Sequence, residues 1–97
     1  MRSIQLESDI AGFVHGLQPK HAKQVCGKIF DLAKNVRPND SENLKGYKNC
    51  FRVTSGEYRI IYTFTPDDVR VLEVGPRDGD AVYKSFDRKY KNLTFAA

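Results

Sequence analysis

Cysteine is scarce in this chain. Cys26 and Cys50 are the only two, with no C-x-x-C pair and no histidine at ligand spacing from either. A structural zinc site ordinarily takes four ligands, so none is indicated, and a disulfide-rich scaffold is excluded. Two isolated thiols suit a reducing compartment, although spacing alone leaves a single disulfide open. Long apolar runs are also missing. The opening residues Met1-Arg2-Ser3-Ile4-Gln5 contain no signal-peptide core, and no stretch approaches membrane-spanning length. The expected location is therefore the cytoplasm, with no membrane contact. No internal repeat or low-complexity segment interrupts the chain.

What is present is a short, basic, moderately apolar sequence. Its 97 residues suit one domain spanning 1–97, and a hydrophobic fraction of 40% suffices for one core. Lys and Arg number 16 against 12 Asp and Glu, a net charge of +4 with a pI near 9.2. That balance favours a polyanionic partner, nucleic acid or an acidic protein, without choosing between them.

The hydrophobic period changes partway along. A short strand is expected over Arg2 to Leu6, with Ile4 and Leu6 on one face. Ser8 and Asp9 can cap a helix carrying Ile10, Phe13, Val14 and Leu17 at helical spacing, ended by Gly16 and Gln18-Pro19. Pro19 suits the first turn of a second helix with an apolar stripe of Val25, Ile29, Leu32, Ala33 and Val36. The breaker-rich Arg37-Pro38-Asn39-Asp40-Ser41 then reads as a loop. Beyond Asn43 the period is two. Strands are expected at Phe51 to Thr54, Tyr58 to Phe64 and Val69 to Val74, separated by turns at Ser55-Gly56-Glu57 and Thr65-Pro66-Asp67-Asp68. Ala81 to Tyr90 suits a closing helix with Val82 and Phe86 inward, and the tail from Lys91 carries no clear pattern. The class expected is α+β: an N-terminal strand and helical hairpin, segregated to one face of a mainly antiparallel sheet, plus a short C-terminal helix.

Strand alternation sorts the side chains. Tyr58, Ile60, Tyr62 and Phe64 form a large apolar face that belongs under the helices, as do Phe51 and Val53. Arg52, Thr54, Arg59, Ile61 and Thr63 then point the other way, so Arg52 and Arg59 fall on one open face of neighbouring strands. Arg77 leaves the last strand after Gly75-Pro76, Tyr83 follows, and Lys45, Tyr47 and Lys48 sit in the loop leading into the sheet. Such a face can grip a phosphodiester, because each planar guanidinium donates two parallel hydrogen bonds to phosphate oxygens. Solvated surface charge is the competing explanation.

The order of motifs resembles the RelE/ParE toxin superfamily. The matching residues are Leu44-Lys45-Gly46, Phe51-Arg52-Val53, Gly56-Glu57-Tyr58-Arg59-Ile60-Ile61-Tyr62, Val71-Leu72-Glu73-Val74-Gly75-Pro76-Arg77 and Val82-Tyr83. The resemblance leans to the RelE branch, whose fold is similar to microbial RNases and whose members cut mRNA codons in the ribosomal A site. It implies an endoribonuclease that needs no cofactor or metal, with Arg52, Arg59, Arg77 and Tyr83 as catalytic residues. Lys45 falls where the family carries a basic residue in the entry loop and with Lys48 is expected to contact RNA or the ribosome, while Tyr47 either makes such a contact or only covers the loop. Thr54 departs from the pattern, standing where the best-known RelE-type members carry a second basic residue. Pro76 stands where His or Lys often precedes the arginine. The resemblance also implies a cognate antitoxin, with operator DNA reached only through it.

In the chemistry implied, the RNA's own 2′-OH attacks the adjacent phosphate. Arg59 and Arg77 would place fixed charge on the phosphorane and Arg52 would orient the scissile phosphate. Arginine is a poor proton carrier, so Tyr83 is the proton-transfer candidate, with base stacking or phosphate contact as its alternative. Glu73 is expected in a strand-end ion pair with an arginine rather than as a base, and His15 and His21 in packing or surface roles on the helices. Two other functions compete: a ParE-like inhibitor of DNA gyrase that cuts no RNA, and a non-catalytic RNA- or ribosome-binding module.

Overall fold

The computed structural model describes residues 1–91; residues 92–97, the end of the patternless tail, lie outside the described residues. In chain order the elements are β1 (Ser3–Leu6), α1 (Ile10–His15), α2 (Pro19–Lys34), β2 (Glu42–Asn43), β3 (Phe51–Ser55), β4 (Tyr58–Phe64), β5 (Asp68–Pro76) and α3 (Ala81–Tyr90). The five strands form one sheet in the order β1-β5-β4-β3-β2, antiparallel except where β1 runs parallel to β5. This is the expected α+β class. No helix among the described residues is long and apolar enough to cross a membrane.

Each element follows from its local sequence. Pro19 opens α2, where its missing N–H costs nothing. Val25, Ile29, Leu32 and Ala33 recur at helical spacing and are all buried. The β3–β4 hairpin turns through Gly56 at φ +59°, with Ser55 opposite Tyr58. The left-handed backbone there favours glycine, since any side chain would be strained; the Gln24 amide oxygen, 2.6 Å from where a Cβ would lie, would also have to move aside.

The sheet is covered on both faces: the helical hairpin lies on one, as expected, and α3 takes the other, where an open face was expected. On one side α1 and α2 pack over Val53, Ile60, Tyr62, Val69, Val71 and Val74. On the other, α3 seats Val82, Phe86 and Tyr90 over Leu44, Cys50, Ile61 and Leu72. The face carrying Arg52 and Arg59 is therefore half roofed by a helix rather than open. A bulge makes this second core possible. Ile61 pairs with Glu73 but Tyr62 pairs with Val71, which leaves Leu72 without a cross-strand partner. Leu72 and Glu73 consequently both serve the α3 side, which strict alternation does not foresee. Two smaller differences concern the edges. Leu6 is 44% exposed although Ile4 packs on the core, because β1 ends where α1 turns away. β2 is two residues long, too short to show a period.

Tyr62 lies at the centre of the first core, with its hydroxyl donating to the Val36 carbonyl at 2.6 Å. Burial pushes its phenol up from 10.0 to about 12. Burial likewise pushes the Cys50 thiol up to about 11. Each raised group binds its proton more tightly folded than unfolded, so the stabilisation is complete below its unfolded value and lost as pH rises through its folded one. Stability is therefore expected to fall between pH 9 and 12, through Cys50 first and then Tyr62, with roughly 3 kcal/mol of the loss from Tyr62 between pH 10 and 12. Urea titrations at a series of alkaline pH values check this. Tyr62→Phe should flatten the slope in that interval, and a slope unaltered by the substitution would contradict the assignment.

Candidate active site

Two strands and a helix bring the site together. Arg52 lies opposite Ile61 and Thr54 opposite Arg59, so the two arginines are diagonal neighbours on the face that meets α3. The first turn of α3 is clamped on that face at Gly75. A Cβ on Gly75 would lie 3.1 Å from both Cβ and Cγ2 of Val82, which is itself buried. Any larger residue would push Val82 back by a few tenths of an ångström, so glycine permits the close approach that sets Tyr83, the next residue, beside the arginines.

Tyr83 is held between them. Arg52 donates from Nη1 to the Tyr83 hydroxyl oxygen, and from Nη2 to Glu42 Oε2 at 3.1 Å. The Cζ atoms of Arg52 and Arg59 sit 5.7 and 5.2 Å from the centroid of the Tyr83 ring. The bond to Tyr83, and then that to Glu42, raise Arg52 further above an already high value, so it is a permanent cation. Arg59 is half-buried, yet its guanidinium has no hydrogen bond or carboxylate partner among the described residues; the ring of Tyr83 is its one contact. A partly desolvated cation left without a counter-ion is prepared for an incoming anion.

A groove of about 520 Å³ runs from this cluster between α3 and the 44–50 loop, floored by Leu44 and Phe86 and edged by Lys45, Tyr47, Tyr83 and Lys84. Tyr47 packs edge-on against Phe86, with ring centroids 4.7 Å apart, and its hydroxyl donates to Asp87. Burial, and then the bond to Asp87, push the Tyr47 phenol up to about 12, so this latch between loop and helix stays protonated at neutral pH.

Of the residues expected from sequence, Arg52 and Arg59 both meet Tyr83, and Lys45 and Tyr47 edge the same groove. Arg77 is not drawn into the cluster. It is exposed, its backbone N–H bonds the Glu57 carbonyl at 2.9 Å, and it follows Gly75 by two residues on the Arg59 side. Lys48 is exposed on the far side of the loop, lining a neighbouring depression. His15 is exposed at the end of α1. His21 lies on α2 against the ring of Tyr58 (5.5 Å), with Nε2 3.6 Å from Glu57. Glu73 does not pair with an arginine as expected. It is buried beneath α3, accepts from Ser85 Oγ at 2.6 Å and meets Lys89 Nζ at 3.1 Å. The bulge at Leu72 aims it there. Sequence reading missed Glu42, Lys84 and Asp87. For the last two a signal existed: Asp80, Tyr83, Lys84 and Asp87 recur at helical spacing along one stripe of α3.

The sequence profile of the family described as ParE toxin of type II toxin–antitoxin system, parDE, matches residues 7–81. No curated protein sequence matches the chain. Solved structures share the fold at low identity. A mutant of the E. coli toxin RelE in the free state has a TM-score of 0.73 at 17% identity, over 91% of this chain and 96% of that one. The archaeal RelE–RelB complex from Pyrococcus horikoshii gives 0.70 at 19%, over 79% and 96%. The toxin–antitoxin complex RelBE2 from Mycobacterium tuberculosis gives 0.66 at 21%, over 78% and 98%. The ordered motifs from Leu44 to Tyr83, the RelE-like fold and the matched profile agree, and the chain belongs to the ParE toxin family of type II toxin–antitoxin systems, within the RelE/ParE superfamily.

Proposed function

We propose that this toxin is a ribosome-dependent endoribonuclease that cleaves mRNA in the A-site codon by 2′-OH attack. One observation carries the reading: the half-buried guanidinium of Arg59, without a carboxylate, lies against a tyrosine whose hydroxyl is already held by Arg52. Arg59 supplies charge to the phosphorane, and Arg52 orients the scissile phosphate with the donors not given to Tyr83 and Glu42. Arg77 reaches in from the strand end as a second phosphate ligand. As the 2′-oxygen bonds to phosphorus its proton passes to solvent and the bond to the 5′-oxygen breaks; Tyr83, whose oxygen accepts from Arg52, donates its proton to that 5′-oxygen, and the phenolate left keeps a cationic partner until solvent reprotonates it. Lys45 and Tyr47 along the groove, and Lys48 beyond it, receive the flanking RNA. The ribosome's role is to hold the 2′-OH in line with the leaving 5′-oxygen.

The cognate partner is an antitoxin, as in the RelE–RelB complexes to which the fold is similar. An acidic segment suits the net charge of +4. A second reading, gyrase inhibition without nuclease activity, is favoured by the ParE description of the matched profile. Two assays side by side separate them. Ribosomes programmed with a defined mRNA should yield new 3′ ends within the A-site codon, while DNA supercoiling by gyrase proceeds normally. Supercoiling blocked without new mRNA ends would overturn the nuclease and establish the second reading.

A further inference from the structure

A second basic-aromatic surface lies across the sheet edge from the groove. Phe51 and Phe64 stack at 5.2 Å and 26° on the opposite sheet face. Their outer sides are capped by guanidinium groups, Arg37 Cζ at 4.4 Å from Phe51 and Arg2 Cζ at 5.6 Å from Phe64. Each arginine is fixed a second time through Nε, Arg37 to Ser41 Oγ at 3.2 Å and Arg2 to the Thr65 carbonyl at 2.7 Å. The terminal amino groups of both forks have no partner among the described residues. Packing alone would account for rings capped by cations. It leaves two forks, each held by a ring and an Nε bond, with no carboxylate partner among the described residues.

The ladder is joined to the groove. A depression of about 480 Å³ shares Asn43, Leu44 and Tyr47 with the groove and reaches Lys48, Arg37 and Phe51. A third, of about 270 Å³, continues from Asn49 and Phe51 to Phe64 and Arg2. Among the described residues no acidic side chain lines either of these two, while Asp80 and Asp87 are among those lining the groove. The three depressions share lining residues in succession, from the groove beside α3, past the 44–50 loop, to Phe64 and Arg2 on the other face.

We propose that single-stranded RNA follows this path, with Arg37 and Arg2 clamping two backbone phosphates beyond the cleavage groove. Chemistry and shape both select this ligand. A fork held by ring stacking and an Nε bond presents its two outer amino groups to a phosphate, with little ordering left to do on binding. A path that turns round a sheet edge suits a flexible single strand and not a stiff duplex, and base edges can rest on the guanidinium planes. The proposal rests on the RNA-cleavage reading, since that reading places RNA in the first groove.

Anisotropy with 2′-O-methyl oligouridines of three and ten nucleotides, which cannot be cleaved, tests it. The wild-type protein should bind the decamer at least about tenfold more tightly than the trimer. In Arg2→Gln/Arg37→Gln that ratio should collapse, and the slope of log affinity against log salt should fall by about 1.4 for two lost phosphate contacts. Lysine at both positions should restore the slope but only part of the ratio, because a point charge replaces the fork. If loss of Arg2 unfolds the protein, Arg37→Gln/Lys48→Gln alters two exposed positions and reads the same ratio. Equal binding of both lengths by the wild type, or a ratio unmoved by the glutamine variants, overturns the path. So does an acidic decapeptide that displaces the decamer at equal concentration, since the surface would then serve a protein partner. Cleavage of programmed mRNA is scored separately, so the path can fail while the nuclease stands.

Discussion

Arg59→Ala is expected to lower mRNA cleavage on programmed ribosomes by about 10²–10³-fold, the usual consequence of removing one donor aimed at developing negative charge. The fold should survive. Among the described residues Arg59 makes no hydrogen bond or ion pair, only its approach to the Tyr83 ring, which is worth about 0.5–1 kcal/mol at a partly exposed position. The melting temperature should therefore fall by only a few degrees while activity collapses. Arg59→Lys keeps the charge but loses the planar fork, and its rate should lie between the two. Tyr83→Phe separates proton transfer from stacking, because the ring stays against Arg59 while Arg52 loses the oxygen it donates to. A large rate loss with retained ribosome binding assigns the hydroxyl to the chemistry. Full cleavage by Arg59→Ala would remove the cluster from the reaction altogether.

The parts of this site that a sequence reveals are those set by strand alternation. Arg52 and Arg59 share a face because each sits an even number of residues from an outward-facing neighbour, and the hairpin at Gly56 fixes their diagonal register. The apolar face opposite, from Tyr58 to Phe64, was equally legible for the same reason. Tyr83 is different. Its contact with the arginines depends on α3 crossing to the second face, and the Val82–Phe86–Tyr90 stripe says only that the helix is amphipathic. Family resemblance named the tyrosine, and the geometry that seats it comes from Gly75. In sequence Gly75-Pro76 reads as a strand stop, whereas in the structure the glycine is the place where a helix touches a strand. Glu73 does form an ion pair, but with Lys89 of α3 rather than an arginine, because the bulge at Leu72 turns it toward that helix. β2 escaped because two residues hold no period, yet its Glu42 is the carboxylate that steadies Arg52.

The seat of α3 also predicts the largest stability effect outside the apolar core. Lys89 reaches down from α3 to the buried Glu73 and sideways to Asp9, just before α1. Burial pulls the ammonium down, but its bonds to Asp9 and Glu73 outweigh this and hold it above its usual value. Lys89→Met would leave the Glu73 carboxylate buried with only the Ser85 hydroxyl to satisfy it. Stranding a charge this way costs about 3 kcal/mol or more, which in a domain of this size lowers the melting temperature by roughly 10–20 °C. The loss is not the worth of the ion pair, since most of it is the penalty of an uncompensated charge. Glu73→Gln in the same chain removes that charge, keeps the shape and should recover most of the stability. Function should fail before the fold does. Lys89 ties down the last turn of the helix that carries Tyr83, so Lys89→Met should speed amide hydrogen exchange across Ala81–Tyr90 first, and cleavage should drop at temperatures where the sheet is still intact. Recovery of both exchange protection and cleavage in Glu73→Gln/Lys89→Met would show that the strap acts through charge balance. A Lys89→Met protein that melts with the wild type would show that Glu73 finds its partner elsewhere.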